Sequence, residues 1–282
     1  MNADDQAGTA VETCFYHRDR ETGRHCTRCG RPACPECLRA ASVGAHCFQC
    51  VRDAAPARSE TRRVQRVLAG HPLNVTKVLI GANVAVFLLG VALDGGVRTR
   101  GELAIDYGLF GPFVGQFGEW WRIFTSGFLH AGMLHLGLNM MALWFLGRML
   151  EPALGSARFA GVYVASLIGG SFGALLASPN ALTVGASGAI YGLLGAAFTG
   201  SRARGLNPFD SGIGGLLLIN LLVTFAVPGI SIGGHLGGLI AGGLLGFVLL
   251  HPSTQRRIGV ASLSVSAIAV IGLIGALWAA NL

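Results

Sequence analysis

Val184-Gly185-Ala186-Ser187-Gly188-Ala189-Ile190-Tyr191-Gly192 lies deep in the apolar part of the chain and heads a run that reads as a membrane helix. It sets one hydroxyl among residues with almost no side chain. Two other stretches carry polar groups into similar surroundings. They are His130-Ala131-Gly132-Met133-Leu134-His135-Leu136-Gly137-Leu138-Asn139 and His235-Leu236-Gly237-Gly238-Leu239-Ile240-Ala241-Gly242. A polar group inside a bilayer is expensive, so an intramembrane Ser, three His and an Asn form a functional-site hypothesis by default.

Composition supports the membrane setting. Of 282 residues, 52% are apolar, only 12% are charged and 43 are glycine, the make-up of closely packed membrane helices rather than of a soluble domain. The net charge of +7 comes almost wholly from arginine, Lys77 being the only lysine, and the charged residues are concentrated in the first quarter. That quarter has no short apolar core of the signal-peptide kind, so the first hydrophobic run is expected to be an uncleaved anchor.

The chain divides by composition into a polar tail (1–13), a Cys/His region (14–50), a basic linker (51–73) and an apolar region (74–282). The linker holds Arg52, Arg58, Arg62, Arg63 and Arg66, which suits an anionic cytoplasmic leaflet and serves equally as a topology signal. Spans of about 20 apolar residues are expected near 75–93, 127–149, 157–177, 185–202, 212–227, 234–251 and 260–280. The fold class is therefore all-α, a polytopic transmembrane helix bundle preceded by a small metal-binding domain. The connection 94–126 is too long for a plain turn and too polar to span. It reads as a structured loop in the membrane interface, with Trp120 and Trp121 as headgroup-level anchors.

Arginine placement orients the bundle. With a cytoplasmic N-terminus, the inner loops carry Arg148, Arg158, Arg202, Arg204, Arg256 and Arg257, and the outer ones Arg98, Arg100 and Arg122. Seven spans then leave Leu282 outside. The second, fourth and sixth helices run from outside to inside, with His130, His135 and Asn139 in the first half of the second, and Ser187 and His235 near the starts of the other two. Parity thus puts all five at similar depth in the outer half of the bilayer.

The chemistry this allows is acyl transfer. A serine hydroxyl is a weak nucleophile until a base takes its proton, and His235 is the candidate base. Gly188 and Gly192 on one helix, and Gly238, Gly242 and Gly246 on the other, would let the two backbones approach closely. Tyr191, one turn after Ser187, is placed to pack on the imidazole. Neither helix holds an Asp or Glu, so the sequence offers a Ser-His dyad. His135 and Asn139, spaced i, i+4 on one face, and the Ser187 backbone N–H are candidate oxyanion donors. His130 would hold a water or brace the loop. Taken singly these features are ordinary: GxxxG is usually packing, a lone Ser bonds back to a carbonyl, and a lone His is a structural partner or proton relay. Their convergence at one depth favours a protease.

Over roughly residues 75 to 252 the chain resembles the rhomboid family of intramembrane serine proteases. The resemblance rests on Glu119-Trp120-Trp121-Arg122, on His130-Ala131 with His135 and Asn139, and on Gly147 with Glu151. It also rests on Gly185-Ala186-Ser187-Gly188 with Tyr191, and on His235 followed by Gly238 and Gly242. It implies that Ser187 is the nucleophile and His235 the general base, with His135 and Asn139 in the oxyanion hole and Trp121-Arg122 in the structural loop. It implies a six-helix core, to which this chain adds a seventh helix. Transmembrane proteins are the substrates implied, cut near the outer boundary of a plasma membrane, here expected to be bacterial. One alternative is an inactive relative that binds transmembrane helices while its zinc domain recruits a cytoplasmic partner. A transporter is another, but it would want mid-membrane acidic residues that these helices lack.

The Cys/His region has its own logic. All seven cysteines lie between Cys14 and Cys50, an odd number that argues against a closed disulfide set. Their pattern is four two-residue knuckles, Cys14-x2-His17, Cys26-x2-Cys29, Cys34-x2-Cys37 and Cys47-x2-Cys50, which offer eight ligands to two structural zinc ions. The four-residue gap between Cys29 and Cys34 suggests interleaved pairing, and the region resembles a B-box-type zinc finger. His46 is an alternative to Cys47, and His25 is a spare. Metal would supply most of the folding energy of so short a region. No basic reading helix is evident, so the partner expected is a protein and not a nucleic acid.

Overall fold

Two compact units, Met1–Arg66 and Val67–Leu282, make up the chain. The structure, a computed structural model, describes residues 12–54, 73–94, 96, 101–254 and 257–282. Most of the polar tail 1–13 and of the linker 51–73, together with Arg98, Arg100 and Arg256, lies outside the described residues.

The first unit is small and loop-rich. Two antiparallel pairs, β1 (Thr13–Cys14) with β2 (His17–Glu21) and β3 (Leu38–Ala40) with β4 (Ala45–Cys47), are followed by a short helix, α1 (Phe48–Ala54). Among its described residues the buried apolar cluster is Cys14, Ala33, Cys34 and Cys37, too little to hold a fold by burial alone.

Among the described residues, the second unit is a bundle of seven helices of 14 residues or more. They are α2 (Asn74–Asp94), α6 (Met133–Leu154), α7 (Ser156–Ala177), α8 (Ser187–Ala203), α9 (Ile213–Ala226), α10 (Ile232–Leu250) and α11 (Ile258–Ala279). Five of the seven are long and apolar enough to cross a membrane, and the protein is an integral, polytopic membrane protein. The two shorter ones, α8 and α9, have 17 and 14 residues. At 1.5 Å per residue they reach only about 25 and 21 Å, less than the ~30 Å hydrocarbon core.

Between α2 and α6 the connection folds into three short helices, α3 (Glu102–Tyr107), α4 (Gly111–Gly115) and α5 (Arg122–Thr125), and a 3-10 turn, Ser126–Phe128. It is the structured loop expected from its mixed composition, and Trp120 and Trp121 remain exposed on it. The helix after it starts later than the sequence suggests, at Met133 rather than near residue 127. The 3-10 turn and the extended Gly132 hold the chain out of helix until there, so His130 precedes α6 instead of lying in it.

The glycines decide the packing. On α10, a Cβ at Gly238 would meet the Gly188 carbonyl oxygen at 2.0 Å, one at Gly242 the Gly192 carbonyl oxygen at 2.0 Å, and one at Gly246 the Ala196 Cα at 2.3 Å. The α8–α10 seam is therefore backbone against backbone. An adjoining face of α10 meets α7 in the same way, through Gly233 against Gly173 and Gly237 against Gly169. Without a hydrophobic drive between helices in lipid, this close van der Waals contact is what holds them together. Helix α11 packs along another side of α7, with Gly272 on Ile168 and Gly275 on the Phe172 ring. That leaves α7 as the central helix, buried at twelve positions.

The two ends of the unit can be told apart by their contacts. Glu151, near the end of α6, caps the start of α2: its carboxylate accepts from the Val75 and Thr76 backbone N–H groups, both at 2.9 Å, and from Thr76 Oγ1 at 2.6 Å. A negative group at a helix start is favoured by the macrodipole. Gly147, one turn earlier, leaves the room that Thr76 fills. At the other end of the bundle, Gly115 of the loop abuts the Ala280 carbonyl just after α11. The start of α2 and the end of α11 thus lie at opposite ends of the unit.

Candidate active site and metal centres

Ser187 is the first residue of α8, and its position is set by the chain before it. Gly185 has φ +131°, a conformation that disfavours any side chain, and a Cβ there would meet His135 Cε1 at 2.8 Å. Its N–H donates to the Ser126 carbonyl at 2.9 Å, and Thr183 exchanges two backbone hydrogen bonds with Leu109. The loop carrying Ser126 and Leu109 is in turn pinned by Arg122. This buried guanidinium donates to the carbonyls of Ile105 at 2.7 Å and Gly108 at 2.9 Å, pairs with Glu119 at 2.5 Å and covers the Phe113 ring at 4.4 Å. Ser171 of α7 adds a hydrogen bond to the Ile123 carbonyl at 2.8 Å.

The serine starts below the rim of the bundle. Gly188 lies against Gly170, seven residues before the end of α7, or about 10 Å down that helix. Gly234, at the start of α10, meets the same point. Irregular backbone at membrane depth is tolerated where it is buried in protein or lines a cavity, and the segment before Ser187 is of that kind.

Across the glycine seam, Ser187 Oγ lies 2.9 Å from Nε2 of His235. Ser231 caps α10 by accepting from the Gly234 N–H, and the His235 ring is stacked on Tyr191, centroids 3.9 Å apart and planes 15° from parallel. The other ring nitrogen, Nδ1, lies 2.8 Å from the Thr224 hydroxyl. Thr224 and its i−4 neighbour Asn220 escaped the sequence reading. The signal was there, as the one Asn/Thr pair at helical spacing in a segment otherwise apolar, Ile213–Ala226.

His135 sits on the other side of the serine, with its Cε1 and Nε2 against Gly185. The Ala131 backbone N–H reaches its Nδ1 at 3.4 Å, which leaves Nε2 as the nitrogen carrying hydrogen. Asn139, one turn on, gives one amide hydrogen to the His135 carbonyl at 2.9 Å and keeps a second. His130 is buried and packs edge-on against His135, ring centroids 5.0 Å apart. The structure thus brings His235, Tyr191, Gly185 and His135 together around Ser187, with His130 beside His135 and Asn139 one helical turn beyond it.

The bundle matches known proteins. Residues 117–252 match the family model for the Rhomboid domain. Over 143 residues the chain is 38% identical to YdcA of Bacillus subtilis, another protein carrying the rhomboid name, and the match spans 49% of this chain and 72% of YdcA. The chain belongs to the rhomboid family. It is also 38% identical over 170 residues to the rhomboid protease GluP of Bacillus subtilis, across 59% of this chain and 33% of GluP. Against RHOMBOID-like protein 5 of Arabidopsis thaliana it is 38% identical over 141 residues, covering 47% of this chain and 45% of that protein. It therefore spans less than half the length of these two rhomboid relatives.

In the first unit the knuckles meet first with third and second with fourth. Cys14, His17, Cys34 and Cys37 form one group and Cys26, Cys29, Cys47 and Cys50 the other, with ligand atoms in each within 4.8 Å of one another. The donors fit a tetrahedral metal. With Zn–S of about 2.3 Å and Zn–N of about 2.0 Å, tetrahedral edges are roughly 3.8 Å between sulfurs and 3.5 Å from sulfur to nitrogen. The Sγ atoms of Cys29 and Cys47 are 3.8 Å apart, and His17 Nδ1 is 3.3, 3.5 and 3.9 Å from Cys37, Cys34 and Cys14. Burial raises the Cys14 and Cys26 thiols, but backbone N–H groups outweigh it and bring both down to about 6. Burial and the neighbouring thiols push Cys37 and Cys50 up to about 12. Holding all these ligands as thiolates calls for a cation among them. His46 stays outside both groups, and His25 pairs instead with Glu12 at 2.5 Å.

Proposed function

We propose that the chain is an intramembrane serine endopeptidase that cuts transmembrane protein substrates through an acyl-enzyme on Ser187. The observation that carries this reading is the 2.9 Å contact between Ser187 Oγ and His235 Nε2, partly buried in the bundle about 10 Å below the end of α7. His235 takes the Ser187 proton as the hydroxyl attacks the scissile carbonyl, and returns it to the leaving amine. The carbonyl oxygen becomes an oxyanion beside Nε2–H of His135, the free amide hydrogen of Asn139 and the Ser187 backbone N–H, one of the unpaired donors of a helix start. Water, activated by the same His235, then releases the acyl group. Tyr191 holds the imidazole by stacking, and His130 supports His135.

Membership of a family with relatives named as rhomboid proteases supports this reading. Because backbone amides in an intact helix are shielded, substrates carry small or helix-destabilising residues at the cut. The arginine distribution supports a cytoplasmic N-terminus, which puts the site in the outer half of the bilayer. Within this scheme residues 14–50 bind two structural zinc ions, 51–73 link, and 74–282 are the protease, while the zinc domain recruits a cytoplasmic protein.

The test is labelling of the purified full chain with a fluorophosphonate probe, alongside cleavage of a model transmembrane substrate in liposomes. Labelling of the wild type and its loss in Ser187→Ala are expected. Full cleavage by Ser187→Ala would end the proposal.

A further inference from the structure

Helix α9 is exposed over much of its second half. Leu218, Ile219, Leu222, Val223 and Phe225 are exposed on it, whereas Thr224 is 1% exposed. Thr224 and Asn220 are its two residues with polar side chains, one turn apart. The Thr224 hydroxyl oxygen has three partners. It lies 2.9 Å from the Asn220 carbonyl, 2.8 Å from His235 Nδ1, and in a short hydrogen bond with the Tyr191 hydroxyl. Tyr191 also donates to the Asn220 carbonyl at 2.6 Å.

These contacts favour one placement of the hydrogens. The Asn220 carbonyl can only accept, so the Thr224 and Tyr191 hydroxyls both face it as donors, and each has a single proton and two acceptor sites. Two hydroxyl protons can serve only two of the four contacts. A hydrogen on His235 Nδ1 serves a third, with the Thr224 oxygen as its acceptor, so the network is best satisfied with the imidazole hydrogen on Nδ1. A neutral imidazole with Nδ1–H has its lone pair on Nε2, the nitrogen facing Ser187.

We propose that Thr224 is a positioning residue: its hydroxyl oxygen accepts the Nδ1–H of His235 and so fixes the tautomer whose Nε2 lone pair receives the Ser187 proton. The proposal rests on the Ser187–His235 reading above. It gives the site a third group where the sequence offered only two, and it places that group on a different helix from either. The group is neutral, so it orients the imidazole without setting a full charge in the bundle. Buried at 1% exposure, the bond has no competing water.

The test uses the full chain in liposomes. Thr224→Val keeps the shape and removes the acceptor. It is expected to lower kcat about tenfold or more with KM unchanged, the scale of one hydrogen bond lost in the transition state. Thr224→Ser is expected to restore most of the rate. Nitrogen-15 histidine spectra of the wild type, with His235 assigned by comparison with His235→Ala, are expected to show a protonated Nδ1 and a bare Nε2. This reading does not depend on any Thr224 variant folding. A protonated Nε2 in the wild type, or a Thr224→Val enzyme with unchanged kcat, overturns the proposal while leaving the Ser187–His235 reading intact. An active Ser187→Ala chain overturns both.

Discussion

The hydroxyl of Ser187 and Nε2 of His235 lie 2.9 Å apart although 48 residues separate them in the chain. What brings them together is the absence of side chains: Gly238 rests on the Gly188 carbonyl and Gly242 on that of Gly192. A bulkier residue at any of these points would hold the two helices apart and break the contact.

The nucleophile and base act as a unit. Ser187→Ala and His235→Ala are each expected to abolish turnover, and the double variant to be no worse than either, because such losses do not add. Asn139→Ala and His135→Ala remove oxyanion donors, each worth about 10²–10³ in rate at comparable sites, and slow residual cleavage is expected. Rates of these five variants on one transmembrane substrate check both statements.

At the seam, Gly242→Val is expected to lower thermal stability and cleavage together, since its Cβ would sit 2.0 Å from the Gly192 carbonyl oxygen. Gly259→Ala, where a Cβ meets open space, is the control and should be neutral. Wild-type melting and activity in Gly242→Val would show that the helices can part without cost.

Glu151 satisfies donors of three residues: the backbone N–H groups of Val75 and Thr76, the Thr76 hydroxyl, and the Ser156 hydroxyl at 2.6 Å. Glu151→Ala strands these groups in a buried site. At about 1–3 kcal/mol for each unsatisfied group, a loss of about 3 kcal/mol or more is expected. Thermal unfolding in detergent measures it. Glu151→Gln keeps an acceptor and is expected to lie between the two.

Metal analysis of the full chain is expected to give about two zinc ions per molecule, one for each ligand group. Cys26→Ser should reduce that to about one, because the groups share no ligand. Chelation is expected to unfold the first unit, whose apolar cluster is four residues. A metal-free chain with the first unit still folded would sink the assignment.

A reporter fused after Leu282 is expected to be active on the outer side only. The end of α11 lies at the loop end of the bundle, by Gly115, and opposite the start of α2. A cytoplasmic signal would reverse the proposed orientation.

The sequence alone determined the class of fold, the seven apolar segments and the ligand knuckles. Each of these is local: length and apolarity define a span, and a two-residue gap defines a knuckle. It also marked Ser187, His235, His135 and Asn139, because a polar group in an apolar run is conspicuous wherever its partners are. Gly188, Gly192, Gly238 and Gly242 announced a close seam by their spacing, and Tyr191 announced its stacking by standing one turn after Ser187. Tertiary structure decided what depends on two segments at once. The late start of α6, which leaves His130 in the loop, follows from a turn anchored on Gly185 and from an extended Gly132. The meeting of Glu151 with Thr76 is a junction between helix ends 75 residues apart. Thr224 looked like an ordinary threonine bonded back to its own helix, as it is, at 2.9 Å from the Asn220 carbonyl. Only the packing of α9 beside α8 and α10 turns its remaining lone pair toward His235. A hydroxyl's second partner is not written in its own helix, because that helix can satisfy the hydroxyl proton but cannot say which neighbour will use the oxygen.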